Sequence, residues 1–261
     1  MKYNFPLPSI SFNKKSIKYI SFVIILYLFF LIINIPATLV ISSIKVPNNI
    51  KISSISGTLW SGEINKLTYS GVNLGRLNWE LSPLNLLIGE LFADVSIVNK
   101  KQSFTSEVKI FSSGKIELEE TRFNFNLSTL QPLTYGMPFS YDGRVSGYFP
   151  VSFIYKNNYV GVNGKLSLYD IEMISPQRQS FGDFSIDFRA EKEGATSGKI
   201  KDNGGQLNLT GELSLRKNGQ FKISAKLAAR DKNSSLDKVV SFLGRKDIEG
   251  RVLLNSNLIL W

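Results

Sequence analysis

From residue 50 onward the hydrophobic positions of this chain recur every second residue. Ile50 and Ile52 alternate with Lys51 and Ser53; Leu77, Trp79 and Leu81 alternate with Asn78 and Glu80; Leu91, Ala93, Val95 and Ile97 make a longer apolar face. Phe104, Val108 and Ile110, then Ile116 and Leu118, then Phe123, Phe125 and Leu127 carry it on. It persists through Val151, Phe153 and Tyr155, Leu166 and Leu168, Phe184, Ile186 and Phe188, Leu207 and Leu209, Leu213 and Leu215, and Phe221, Ile223, Ala225 and Leu227. Period two means strands with one buried and one wetted face. The separators Asn157-Asn158, Asn203-Gly204-Gly205 and Lys217-Asn218-Gly219 are turn formers, so sequence neighbours are expected to pair as antiparallel hairpins. The fold class expected is mainly β: a long antiparallel meander forming a curved sheet, roll or sandwich, with one or two short helices.

Helical spacing interrupts the meander twice. Ser82-Pro83 followed by Leu84, Leu87 and Gly89 predicts one or two turns between a cap and a glycine terminator. Ser234 to Gly244 predicts a short amphipathic helix: Ser234 caps, Asp237 sits three on, Leu236, Val239, Val240 and Leu243 form the stripe, and Gly244 stops it. Such a helix plugs the end of a sheet most simply; docking a partner is the other use.

The exception to period two is Ile20 to Ile41, which holds no charged residue. About 20 apolar residues at 1.5 Å rise match a hydrocarbon core of about 30 Å. The segment is therefore expected to be a transmembrane helix, with Pro36 a kink or an end and Asn34 a mild polar cost. Lys2, Lys14, Lys15 and Lys18 lie on its N-terminal side and no acidic residue occurs before Glu63, which places the N-terminus inside. A cleaved signal peptide, with Ala37, Ser42 and Ser43 as its small residues, has a shorter apolar region nearer the start. A buried core helix is seldom apolar all round. The expected organisation is a basic cytoplasmic tail (1–19), a transmembrane helix (20–41) and a β-rich domain (42–261) outside the cytoplasm. Pro47-Asn48-Asn49 marks a short linker.

Composition narrows the chemistry. The 261 residues contain no cysteine and no histidine, which removes disulfides, thiolate and imidazole chemistry and His-bearing zinc sites. Glu119 and Glu120 are adjacent and, on a regular strand, point to opposite faces, the wrong geometry for joint acid and base work. Neither Gly57 with Gly62 nor Gly143 with Gly147 leads into a helix that would hold a phosphate. Asn126-Leu127-Ser128, Asn208-Leu209-Thr210 and Asn233-Ser234-Ser235 match glycosylation acceptors, a pattern common by chance. The formal charge of +10 is spread singly along the chain, which argues against a nucleic-acid groove. No catalytic residue, metal site or cofactor is expected, and the protein is not read as an enzyme.

Gly57-Thr58-Leu59-Trp60-Ser61-Gly62 brackets a tryptophan with glycines; Trp79-Glu80-Leu81-Ser82-Pro83-Leu84 and Leu86-Leu87-Ile88-Gly89-Glu90-Leu91 come after it. With the N-terminal apolar run, these resemble the type II secretion system protein N (general secretion pathway protein N) family, as do Phe221 to Arg230, Leu243-Gly244 and Asp247 to Gly250. The resemblance implies a bitopic inner-membrane accessory component of the apparatus that exports folded proteins through the outer membrane of Gram-negative bacteria, its β-rich domain (42–261) periplasmic, with other secretion subunits as partners and no active site. Read from the residues alone, Trp60 and Trp79 lie on strands and fill the core, or else sit near the membrane interface or on a docking face, and Gly57 and Gly62 permit a bend around the ring. A second functional reading is a lipid-handling β domain resembling the AsmA family. There Phe123, Phe125, Phe149, Phe153 and Phe184 line an apolar trough for acyl chains; core filling is the plainer role for them.

Overall fold

The computed structural model describes residues 14–100, 102–134, 140–155, 160–175, 177–191, 195–216, 219–231 and 234–259. The turns at Asn157-Asn158 and Lys217-Asn218, and most of the tail, lie outside these.

Two helices, α1 (Lys14–Ile33) and α2 (Ala37–Ser43), precede thirteen strands. These are β1 (Ile50–Gly57), β2 (Ser61–Tyr69), β3 (Val72–Ser82), β4 (Glu90–Asn99), β5 (Gln102–Phe111), β6 (Ile116–Asn126), β7 (Ser140–Ile154) and β8 (Val160–Ser175). The rest are β9 (Gln179–Glu191), β10 (Ala195–Asp202), β11 (Leu207–Arg216), β12 (Gln220–Ala229) and β13 (Val252–Ile259). One 3-10 turn (Asn85–Ile88) joins β3 to β4, another (Leu127–Thr134) joins β6 to β7, and α3 (Ser235–Phe242) joins β12 to β13.

All strands lie in one open sheet in sequence order, every neighbour antiparallel. The meander is as the alternation predicts. The sandwich is not: it requires a second sheet, and the described strands form one.

Register shows how completely the two faces are segregated. One cross-strand row runs Ile55, Ile64, Leu77, Ile97, Phe104, Phe123, Gly147, Leu166, Ile186, Ile200, Gly211, Ala225, Leu254, with no polar side chain. The next row runs Ser56, Glu63, Asn78, Ser96, Thr105, Arg122, Tyr148, Lys165, Asp187, Lys199, Glu212, Ser224, Asn255. A one-residue slip in any strand would exchange the two, so the pattern specifies the pairing.

Because the strands pair in sequence order, the β1–β2 and β3–β4 connections fall on one long edge, and the β6–β7 and β12–β13 connections on the other. On that second edge α3 lies across the apolar face. Leu236 and Val240 are each 1% exposed and pack with Ile171, Phe184, Leu207, Ala225, Leu227, Ala229 and Val252. The Ser234 hydroxyl accepts from the Asp237 amide, as the cap predicts. The helix plugs the sheet as expected, with one correction: Leu243 stands outside the stripe, 52% exposed. The turn at Asn85–Ile88 is also as predicted, closed by Gly89 in the left-handed region (φ 79°), though no side chain caps its start. The 3-10 turn Leu127–Thr134 has no counterpart in the sequence expectations.

The apolar run differs more. Instead of one helix over 20–41, α1 starts at Lys14 and ends at Ile33, and α2 begins after Pro36. Proline has no N–H to continue the ladder and disfavours helix in the residue before it. Among the described residues no helix is long and apolar enough to cross a membrane.

Candidate functional site

The residues that the sequence singles out converge where α1 meets the sheet. A helix end leaves carbonyls without intrahelical partners, and here the sheet supplies donors. The Trp60 indole Nε1 donates to the Ile32 carbonyl at 2.9 Å, the Leu59 amide to the Ile35 carbonyl at 2.8 Å, and Pro36 bridges Thr58. The Asn34 side chain donates to the Phe30 carbonyl at 2.7 Å, which removes its polar cost.

The loop that makes these contacts is itself held by β3. The Trp79 indole donates to the Leu59 carbonyl at 3.0 Å, and the Leu81 amide to the Trp60 carbonyl at 2.6 Å. Thr58 and Ser61 close the turn through the Thr58 amide and the Ser61 carbonyl, 2.8 Å apart. Two glycines make room. Gly57 is left-handed (φ 89°), and a Cβ on Gly62 would stand 2.4 Å from Trp79 Cζ2 and 2.7 Å from the Ser56 carbonyl. Trp60 and Trp79 are thus linked through Leu59, each half-buried. Neither fills the fully buried core, and Trp60 lies on the β1–β2 turn, not on a strand. The Gly-x-x-Trp-x-Gly spacing anticipated the bend; that the indole reaches 28 residues back to a helix carbonyl has no local signal.

Elsewhere the described residues offer contact surface more than chemistry. None forms a group of three or more His, Cys, Asp or Glu that would hold a metal. A β-bulge at Glu120 (φ 48°) turns Glu119 and Glu120 to the same polar face, contrary to the strand expectation. Each has its own cation: Lys109 is 2.6 Å from Glu119, and Arg122 is 2.7 Å from Glu120. The hydrogen bond to Glu119 raises the Lys109 pKa above its ordinary value. The Arg178 hydrogen bond lowers that of Glu172, and the Arg251 backbone N–H lowers that of Asp247. A groove of about 630 Å³ is lined chiefly by polar-face residues such as Glu191, Lys199, Glu212, Lys222 and Asn255.

Of the five phenylalanines read as lining a trough, Phe123, Phe125, Phe149 and Phe184 belong to the apolar face. Phe123 and Phe149 stack at 5.8 Å over Gly147, whose missing Cβ would lie within 2.6 Å of both rings, and Phe149 lies 5.9 Å from Phe188. Phe153 does not join them: the bulge between Tyr148 and Val151 turns it to the polar face, where the Lys115 ammonium sits 5.5 Å from its ring.

Two exposed apolar groups stand outside the sequence expectations. On the edge of the junction Leu84, Leu87 and Ile88 are 72, 83 and 72% exposed; on the opposite edge Phe242 and Ile248 are 90 and 104% exposed.

Residues 48–255 match the family model described as Type II secretion system (T2SS), protein N. The chain is similar to the Type II secretion system protein N of Aeromonas hydrophila, 42% identical over 65 residues, which cover 24% of this chain and 26% of the relative. It is also similar to that of Vibrio cholerae serotype O1, 36% identical over 64 residues (24% and 25%). With that of Klebsiella pneumoniae it is 24% identical over 231 residues, 87% of this chain and 89% of the relative. The chain thus spans about a quarter of the length of the first two relatives and most of the third. No solved structure matches.

Proposed function

Since the chain belongs to the type II secretion system protein N family, we propose that it is an accessory component of that machine, held in the inner membrane by α1 and working through protein contacts of a periplasmic sheet. The observation that carries this is the junction: a helix exposed along its whole apolar length, from Ile17 to Ile33, is nevertheless fixed to the sheet by the Trp60 indole and the Leu59 amide, in a turn that the Trp79 indole holds. The described residues alone do not make a crossing helix; α1, whose 20 residues rise about 30 Å, is taken as the anchor because the uncharged run begins within it at Ile20 and the stems of Lys15 and Lys18 are long enough to snorkel at its basic end. With the lysines inside, the sheet lies on the periplasmic side. The exposed Phe242 and Ile248 at the edge away from α1, and the outer sides of β1 and β13, the end strands of the sheet, are the surfaces offered to other secretion subunits. The charged pairs each satisfy themselves, which leaves bond-making chemistry no part in this reading.

The test is made in the protein's own host. Deletion is expected to reduce export of secreted enzymes and to be restored by the full chain, and a periplasm-active reporter fused after the sheet is expected to be active. Undiminished secretion, or a reporter active only in the cytoplasm, sinks the proposal.

A second reading has one observation in its favour: the apolar row crosses all thirteen strands, while α3 and the Leu127–Thr134 turn lie along one edge of it. Acyl lipids along that face are the occupant it would take. Mass spectrometry of lipid extracted from the mildly purified protein decides it, and a preparation free of acyl lipid removes this reading.

A further inference from the structure

The connection between β3 and β4 is an anomaly for a turn in water. Its residues Pro83 to Gly89 carry no charge, yet Leu84, Leu86, Leu87 and Ile88 are 72, 45, 83 and 72% exposed. Isolated exposed leucines are ordinary on a protein surface; four apolar side chains on one short turn form a contiguous patch, which marks a contact.

Its place in the fold says what it touches. The Leu81 amide donates to the Trp60 carbonyl at 2.6 Å, and the Trp60 indole donates to the Ile32 carbonyl at 2.9 Å. Three residues before Leu84, then, the chain stands two hydrogen bonds from the last turn of α1. The patch lies on the same long edge as the C-terminal end of α1. Asn85 is the one polar side chain among residues 83–89, so the turn offers a protein partner little to hydrogen-bond but suits an acyl surface. Trp60, half-buried with its N–H bonded, stands between the two, as an indole does at a membrane interface.

We propose that residues 83–89 are a second membrane-contacting element, dipping into the periplasmic leaflet beside α1. The sheet is then held at two points along one edge and stands at a set angle to the bilayer, with α3 and Phe242 pointing away. This rests on the reading of α1 as a membrane anchor, and the experiment separates the two.

The chain contains no cysteine, so a single introduced thiol is labelled uniquely. Full-length Ile25→Cys, Leu87→Cys and Phe242→Cys, each carrying an environment-sensitive nitrobenzoxadiazole, are reconstituted in vesicles of phosphatidylethanolamine and phosphatidylglycerol with or without nitroxide-labelled lipid. All three positions are exposed, so the label displaces no packing. The expected result is lipid quenching at 25 and at 87, with blue-shifted emission at both, and water-like, unquenched emission at 242. Quenching at 25 without quenching at 87 overturns the second contact and leaves the anchor standing. A blue shift at 87 that nitroxide lipid does not quench also overturns it, since the cover is then protein. No quenching at 25 overturns the anchor and this inference with it. Quenching at 242 overturns the set angle, because the sheet would then lie flat.

Discussion

Gly62 and Trp60 show how much of this fold turns on single side chains. A methyl group at Gly62 would overlap the Trp79 ring (2.4 Å) and a backbone carbonyl (2.7 Å), and the ring is itself held by its bond to Leu59. Gly62→Ala is therefore expected to cost about 1–3 kcal/mol, the range for overpacking. Gly89→Ala meets no atom within 4 Å and pays only the left-handed strain, about 1 kcal/mol; chemical denaturation of the two variants in detergent should order them so. Trp60→Phe keeps one aromatic ring and removes the five-membered ring with its donor, leaving the Ile32 carbonyl without its indole. A loss of about 1 kcal/mol is expected, with faster amide exchange across residues 35–45 measured by mass spectrometry. Unchanged exchange there would mean that the indole does not hold the helix. At this scale the sequence was legible in kind and not in partner. The Gly-x-x-Trp-x-Gly spacing marked a bend, but Ile32 is chosen by a contact 28 residues away, which no local pattern encodes.

Among the elements, α3 is the one whose sequence said most. Ser234 and the 236/240 spacing placed both its cap and its buried side, and Leu236, 1% exposed, sits where truncation leaves a cavity. Leu236→Ala is expected to cost about 2–5 kcal/mol. Phe242→Ala, on the same helix but 90% exposed, should stay within about 0.5 kcal/mol; equal losses by equilibrium denaturation would mean that the helix does not pack as described. The apolar N-terminal run was less legible at the same scale. Hydrophobicity summed over Ile20–Ile41 carries no information on where the ladder stops; Pro36 marked the break in the sequence, and only the donors of the 58–60 loop, far along the chain, show how the end at Ile33 is satisfied. The bulge at Glu120 and the one before Val151 were equally hidden. Each moves the residues beyond it to the other face, so simple alternation counted Phe153 with the apolar side and set Glu119 and Glu120 apart.

As a whole the molecule is a meander in which each strand touches its sequence neighbours, a helix at one long edge, and a plug at the other. Thirteen strands at about 4.8 Å spacing would span about 58 Å if flat. Removing residues 14–33 is expected to leave the β-type circular dichroism of the sheet intact while abolishing flotation with vesicles. Loss of the β signal would mean that the junction is part of the folding unit and not only a tether.

The chain's own letters determined the class, the hairpin order, the two faces and the absence of imidazole and thiol chemistry. Each of these depends on residue type and on a period of two, both local quantities. Tertiary structure alone decided that the strands make one open sheet and not two, where the bulges fall, and that the Trp60 indole and the Leu59 amide tie the helix to the edge. These come from the cost of leaving carbonyls and apolar surface unpartnered, which is settled between residues far apart in sequence.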